Sequence, residues 1–569
     1  MSALIERTPP QTTRRMNFAT RALLCSLFTL ALCWGLLAPR TLPGQLPPDE
    51  ESRLAEARAA LTAGALDRVL AILDRTPTDT PESFVPLILE ACRRSQRFEQ
   101  GRKWVEAYSE RPELSTPMVL AIAQWEAEEG WVRRAGARLD RALEHRPTDS
   151  ALWAGRARLA RSEGDAESAW SAAARAIEHG IDPQELAWLR GEAAIELGRE
   201  QEAVAILTEL LAVSEGHVGA RLTLARLVRG QGDSPRAIAL LWRSLELSPD
   251  HSAALGELGS LLVRTAERNE TGARLLERFR KIRDRRERIE RLIRERREGR
   301  DSLILRAELA RLLRLDDKPA VAFSIASVPL PGGDVSESEK PVRSTLHFEA
   351  GLALRALGQD RGALGSFSRA LLADPSNDRI RLELADTLLA LGDARRSIVV
   401  LDRMGDGSDP IARETILIHA LARVGRPWEE IGSRLFALVR AKTSDVEIAR
   451  SFVDAAIGYD VAPVALKSIE EWLAVDPGAP LAQLTLAWLL SETLPEDPRL
   501  PLLESWWEAR AAHSPLGVEA WLWLAARRTA RDDATGAEEA LRGAKRARAV
   551  FGPRRAGVHS DTNDRRLGH

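Results

Sequence analysis

The sequence predicts an all-α protein: a right-handed solenoid of stacked helical hairpins, preceded by one transmembrane helix. Two observations carry the solenoid. Gly130, Gly164, Gly198 and Gly232 stand 34 residues apart, and each is followed five residues later by an alanine, Ala135, Ala169, Ala203 and Ala237. The same pair returns as Gly358 with Ala363 and as Gly392, where Ser397 takes the small position. A fixed period of this length marks repeated helical hairpins. Such a hairpin cannot bury its apolar face alone, so neighbours must stack into one continuous core. A third observation, an uncharged run at 22–38, predicts the membrane helix.

Composition bounds the function before any motif does. A chain of 569 residues would ordinarily hold about three or four globular domains, but a repeat array grows as one quasi-linear body. Its apolar share of 44% and charged share of 29% are those of a folded chain. A net charge of −2 excludes bulk nucleic-acid binding, which needs a basic footprint. Arginine carries nearly all the basic charge and alanine fills the helices, a composition that points to a GC-rich bacterial genome. The three cysteines, Cys25, Cys33 and Cys92, support neither a disulfide framework nor a metal cage.

Residues 1–21 form a basic N-terminus with Arg7, Arg14, Arg15 and Arg21. The seventeen uncharged residues at 22–38 are the short end of what crosses a bilayer as a helix. Arg40 and then Asp49, Glu50 and Glu51 follow, so the positive-inside bias puts 1–21 in the cytoplasm and the repeats outside it. An uncleaved anchor is the preferred reading. A cleaved signal is disfavoured by Pro39 directly after Ala38, and a lipoprotein by Leu32 beside Cys33. The prolines of the spacer at 39–50 make a stiff stalk.

Hairpins then run over 51–265 and 344–551, with an irregular stretch at 266–343 between them. The clearest unit is 344–375, STLHFEAGLALRALGQDRGALGSFSRALLADP. Gly358 closes its first helix, since a left-handed residue is least costly as glycine. Ala363 and Ala370 admit a close second helix, Gly351 and Phe367 meet between the two, and Pro375 stops the unit. The skeleton recurs at 116–147 with Ala123, Gly130, Ala135, Leu139 and Ala142, and at 218–249 with Ala225, Gly232, Ala237 and Leu241. It is looser at 445–477 and 480–515. The final residues, 552–569, are a polar tail expected to be disordered.

These residues closely resemble the tetratricopeptide repeat (TPR) family. The resemblance covers roughly the length from 51 to 551 and implies a groove, lined by the first helix of each hairpin, that holds other proteins. Departures such as Ile181 in place of proline, and Leu210 and Ser244 in place of the late alanine, are single-site and leave the fold expectation intact.

The middle stretch breaks the rhythm, because Gly232 and Gly358 are 126 residues apart. Within 267–301, Leu275, Phe279, Ile282, Ile289 and Ile293 are spaced 4, 3, 7 and 4, a heptad-like seam with Arg286 in its gap. One expectation is a long second helix packed by one stripe with a solvated charged face. The other is self-association through that seam.

Candidate sites follow from aligning the units. Arg158 and Arg161, Trp188 with Glu192 and Glu196, and Arg226 with Arg229 fall on the first-helix face, followed by Phe348, Arg355, Arg379 and Asp386. Residues three or four apart share a helix side, so basic rungs flank an acidic one that carries an aromatic anchor. The set lacks the lysines and asparagine with which TPR domains clamp C-terminal carboxylates. An extended peptide or helix with both acidic and basic side chains fits better.

No cofactor and no metal are expected. His145 and His179, like His217 and His251, are one period apart, which is too far for shared ligation once hairpins stack about 10 Å apart. The aspartates of 402–409, DRMGDGSD, lack a closing glutamate and read as a turn. No phosphate loop, zinc helix or serine elbow is present. Trp472, Trp488, Trp506, Trp507, Trp521 and Trp523 are expected to pack between hairpins.

The function that follows is a membrane-anchored, non-catalytic scaffold at the cell envelope that binds proteins through its groove and the membrane through 22–38. The alternatives are an accessory factor for envelope-polymer (glycan or lipid) assembly or secretion, and a soluble intracellular adaptor.

Overall fold

A computed structural model of the chain describes residues 48–552, apart from 64–65, 74–79, 96, 110, 112, 265–268, 328–338, 406–408 and 442–445. The expected anchor at 22–38 lies outside these residues, as do most of the spacer at 39–50 and nearly all of the tail at 552–569. The described residues fall within one compact unit. Among the described residues the regular structure is helical, with no strand and no helix long and apolar enough to cross a membrane.

Helices pair into hairpins along the chain, and odd-numbered helices are the first of each pair. The row opens with α1 (Pro48–Thr62), α2 (Leu66–Ile72), α3 (Val85–Arg94), α4 (Phe98–Ser109), α5 (Thr116–Glu128), α6 (Val132–His145), α7 (Ser150–Glu163) and α8 (Ala166–Glu178). It continues through α9 (Pro183–Glu196), α10 (Glu200–Val213), α11 (Val218–Gly230), α12 (Ser234–Leu247), α13 (Ser252–Leu262) and α14 (Asn269–Arg297). Then come α15 (Leu303–Leu315), α16 (Pro319–Ser327), α17 (Lys340–Ala356), α18 (Asp360–Ala373), α19 (Asp378–Ala390), α20 (Ala394–Leu401) and α21 (Pro410–Arg423). The last are α22 (Trp428–Ala441), α23 (Val446–Gly458), α24 (Ala462–Val475), α25 (Pro480–Thr493), α26 (Leu500–Arg510), α27 (Gly517–Ala530) and α28 (Ala534–Phe551).

The turn chemistry explains the period. Gly130, Gly164, Gly198, Gly232, Gly358 and Gly392 all have positive φ, from 70° to 90°, just past the end of a first helix. The next residue's N–H returns to a carbonyl inside that helix, as Gln359 does to Leu354 at 2.9 Å, so the last turn keeps its hydrogen bonds. An aspartate then often caps the second helix: Asp165, Asp233, Asp393 and Asp533 each accept a backbone N–H of the first turn. Three later turns use Asp317, Asp460 and Asp532 at φ 56° to 60° where glycine is expected. An aspartate tolerates this conformation better than most residues. Of the units that look loose in sequence, 445–477 is therefore a hairpin closed by Asp460.

Packing follows the small positions. Ala135, Ala169, Ala203, Ala237 and Ala363 are fully buried, and so is Ser397. At Gly351 a Cβ would run into the ring of Phe367, itself fully buried. First helices pack on the first helices of the next hairpins, whereas second helices pack mainly on their own partner and on the following first helix. The first helices therefore form one continuous side of the row.

Residues 266–343 hold a second helix, α14, and the hairpin α15–α16, so the row of hairpins passes through them. At 29 residues α14 is about 44 Å long, twice its neighbours. Its stripe is covered from within the chain. Leu275 and Ile282 join a core with Leu255, Leu258 and Leu262 of α13, and Ile289 and Leu292 join one with Leu305, Leu309 and Leu313 of α15. The seam that would pair with a second copy is thus occupied. The helix also ties distant turns together. Arg297 at its end lies over the Phe98 ring at 3.6 Å and pairs with Glu129 at 3.6 Å. Nearer its start, Arg278 donates to the Arg548 and Ala549 carbonyls of α28 and pairs with Asp250. Arg546 of α28 pairs with the buried Glu246 of α12 at 2.6 Å. The arginine-rich helix is an internal strut.

Candidate interaction surface

The first-helix face is built of rungs that join one first helix to the next. Arg93 of α3 pairs with Glu128 of α5 at 3.2 Å, and Arg161 of α7 with Glu192 of α9 at 2.9 Å. Arg226 and Arg229 of α11 converge on Glu257 of α13 at 2.5 and 3.8 Å. Further along, Arg314 of α15 reaches Glu349 of α17 at 2.9 Å, and Arg355 of α17 reaches Glu383 of α19 at 2.7 Å. Arg450 of α23 reaches Glu492 of α25 at 2.6 Å. Between α9 and α11 the rung is neutral: the Trp188 indole donates to Thr223 Oγ1 at 3.2 Å. Except at Arg450, the arginine lies in the second half of one first helix and reaches a carboxylate on the next. The more exposed pairs, Arg93–Glu128, Arg161–Glu192 and Arg226–Glu257, each contribute at most about 1 kcal/mol.

The structure brings the predicted residues together in two groups. In the first, Arg161 lies over the Trp188 ring at 5.0 Å while pairing with Glu192, and Arg158 acts electrostatically on Glu185 of α9. Trp188 also meets the His217 ring edge-on at 5.4 Å. Glu196 is exposed, and Arg226 with Arg229 stands one repeat further on. In the second group, Arg379 lies over the Phe348 ring at 5.1 Å, and Arg355 bridges Glu383 and Asp386.

Two of these residues are not surface groups. Phe348 is 6% exposed and stacks against Phe367, and Asp386 is 0% exposed beneath Arg355. Burial pushes the Asp386 carboxyl up to about 8 against the pull of Arg355. The placement of Phe348 and Asp386 on an open groove is therefore corrected. Helical spacing identifies a face but not the arc of it that the neighbouring first helix covers.

Sequence reasoning missed the histidine caps. His217 and His251 precede α11 and α13, and each Nδ1 accepts the backbone N–H three residues on, at 2.9 and 3.3 Å. Desolvation lowers both pKa values. Their recurrence one period apart marks equivalent helix starts. His145 ends α6 and His179 follows α8. Among the described residues no group of three or more His, Cys, Asp or Glu side chains could hold a metal ion. Cys92 is buried and its thiol is pushed up to about 12, far from a reactive thiolate. The C-terminal tryptophans pack between hairpins: Trp472, Trp488, Trp507 and Trp523 are buried, and Trp506 and Trp521 lie against the same core.

Known proteins share features with this geometry. Residues 194–255 match the tetratricopeptide repeat family. The match spans the end of α9, α10, α11, α12 and the start of α13, the stretch that carries Arg226 and Arg229. Among solved structures, the chain is similar to YrrB, a TPR protein with an unusual peptide-binding site, at 20% identity and a TM-score of 0.25, covering 31% of this chain and 89% of that one. It is also similar to the APC/C hetero-tetramer Cut9–Hcn1, at 13% identity and a TM-score of 0.28, covering 82% and 99%. A third is yeast Tom70, at 13% identity and a TM-score of 0.33, covering 79% and 96%. No curated protein sequence matches the chain.

Proposed function

We propose that this chain is a non-catalytic scaffold that holds a protein segment along its first-helix face. The observation that carries this is the ladder of paired charges from α7 to α13, with Trp188 set into it. The Arg161–Glu192 rung is internally neutral, the Arg226/Arg229–Glu257 rung keeps one positive charge in excess, and both are partly open to solvent. A segment bearing both acidic and basic side chains can exchange partners with each rung and leave no charge bare, which favours such a ligand over one of a single sign. The same pairing disfavours a polyanionic glycan, which would call for a uniformly basic lining. The scaffold is proposed to be tethered through the uncharged run at 22–38, with the repeats on the extracytoplasmic side.

The test is affinity capture from the native host with the full chain and the variant Arg161→Ala/Arg226→Ala/Arg229→Ala. Trp188 stays in place because its bond to Thr223 is part of the packing. The expected result is loss of the captured protein with helical content and melting unchanged. Retained capture by the folded variant contradicts the proposed face. Tethering has its own readout: protease added to spheroplasts should digest the repeats, and carbonate should leave the chain in the membrane fraction. Full protection, or release by carbonate, contradicts it.

A further inference from the structure

The side of the row opposite the rungs carries a second, chemically different surface. An open cleft of about 380 Å³ lies between the second helices α18 and α20. Leu364 and Ser368 of α18 form one wall, Val399 and Val400 of α20 the other, and Leu384 and Leu388 of α19 the floor. α20 has only 8 residues where α18 has 14. Apolar surface is left uncovered there. Val399 is 53% exposed, and Leu372, about two turns beyond Leu364 on α18, is 83% exposed.

The rim is basic. α18 and α20 together carry Arg361, Arg369, Arg395 and Arg396 against a single acidic residue, Asp360. Arg395 and Arg396 border the cleft itself. Among the described residues Arg395 has no carboxylate partner, and Arg396 reaches only Asp393, at 3.5 Å, with 75% of its side chain exposed. This contrasts with the first-helix face, where arginines are matched rung by rung. The walls are helices whose backbone groups are already bonded, so no strand can be added. A third helix seats naturally in the furrow between two.

We propose that this cleft docks an amphipathic helix from a second protein, its apolar stripe on Leu364, Val399 and Val400 and its acidic flanks against Arg395 and Arg396. The site is separate from the first-helix face, so the chain can hold two partners at once.

The experiment uses the full chain and two fluorescein-labelled peptides of about 18 residues, five helical turns each. Both carry leucines at alternating three- and four-residue spacing; one has glutamates on the remaining faces and the other lysines. Anisotropy should show the glutamate peptide binding at least about tenfold more tightly, with affinity falling as salt is raised. The Arg395→Glu/Arg396→Glu variant should reverse the preference, and Val399→Asp should abolish binding of the glutamate peptide. A benzoylphenylalanine crosslinker in place of Ser368 should label the glutamate peptide. The Arg161→Ala/Arg226→Ala/Arg229→Ala variant should bind it as the parent does, which separates this site from the first-helix face. No binding, equal binding of both peptides, or retained preference in the reversed variant would overturn the proposal. So would concentration-dependent dimerisation that Val399→Asp abolishes, which would assign the cleft to a second copy.

Discussion

Gly358 holds φ at +70°, so its constraint is one of backbone conformation. Gly358→Val should cost about 1–2 kcal/mol or more, because a β-branched residue resists positive φ. Urea unfolding checks this, and a midpoint equal to the parent's would contradict it. Gly351 is constrained in the opposite way, by the Phe367 ring. Both roles were legible from the 34-residue rhythm, since glycine at the turn and a small residue, glycine or alanine, at the crossing recur with the period. The turns at Asp317, Asp460 and Asp532 were not legible, because a lone aspartate among many charged residues carries no comparable signal. Acid should act through the histidines. Burial lowers the His419 pKa from 6.5 to about 4, with Arg423 pulling the same way and Asp454 opposing. A depressed pKa means the unfolded chain takes up the proton first, so this contribution is complete above about pH 6.5 and is lost as pH falls toward about 4. His217 and His251 lose their caps in the same direction, since a protonated Nδ1 cannot accept. Replacing His419 by Gln should flatten the melting-temperature fall between pH 6.5 and 5 by the equivalent of about 1–2 kcal/mol. An unchanged slope would contradict this. Asp386, raised to about 8, acts with opposite sign, so its contribution declines as pH rises through that value.

At the scale of elements, the informative helices are those that depart from the repeat. The seam of α14 was readable as an apolar stripe, and its spacing allowed either a packed second helix or a pairing surface. Periodicity reveals that a stripe exists but not what covers it; the cover comes from α13 and α15, non-local neighbours brought together by stacking. The same limit hid α28, whose last turn buries Ala549 and Val550 against α12–α14 some 270 residues away in sequence. Val550→Asp places a carboxylate in that apolar contact, at a local cost of about 1–3 kcal/mol. Amide exchange should quicken in the last two turns of α28 and in the first half of α14, and remain unchanged in α5–α8. Uniform exchange in the variant and the parent would mean that α28 does not brace the strut. The brevity of α20 was also invisible in advance, because Ser397 sits in the repeat's small position and only the following turn differs.

Across the whole molecule, the hairpin row could be read from sequence because each unit repeats one solution to one packing problem. The interaction face could be read only in outline: Arg161, Glu192, Arg226 and Arg229 fall where the alignment of units put them, whereas Phe348 and Asp386 turn inward. Pairing between successive first helices is a tertiary property, and it converts a row of apparent single charges into paired rungs. Exposed pairs of this kind add little stability, so raising salt should leave melting nearly unchanged while weakening partner capture. A scan at low and high sodium chloride checks this, and a steep loss of melting temperature would assign the rungs to stability instead. The central claim is that the first-helix face is where another protein is held. Photocrosslinking in the native host tests it most directly, with benzoylphenylalanine in place of Arg229 on that face and, as control, in place of the exposed Arg236 on α12. The account predicts a discrete protein adduct from position 229 and none from 236. Adducts of equal yield at both positions, or none at 229, would contradict it.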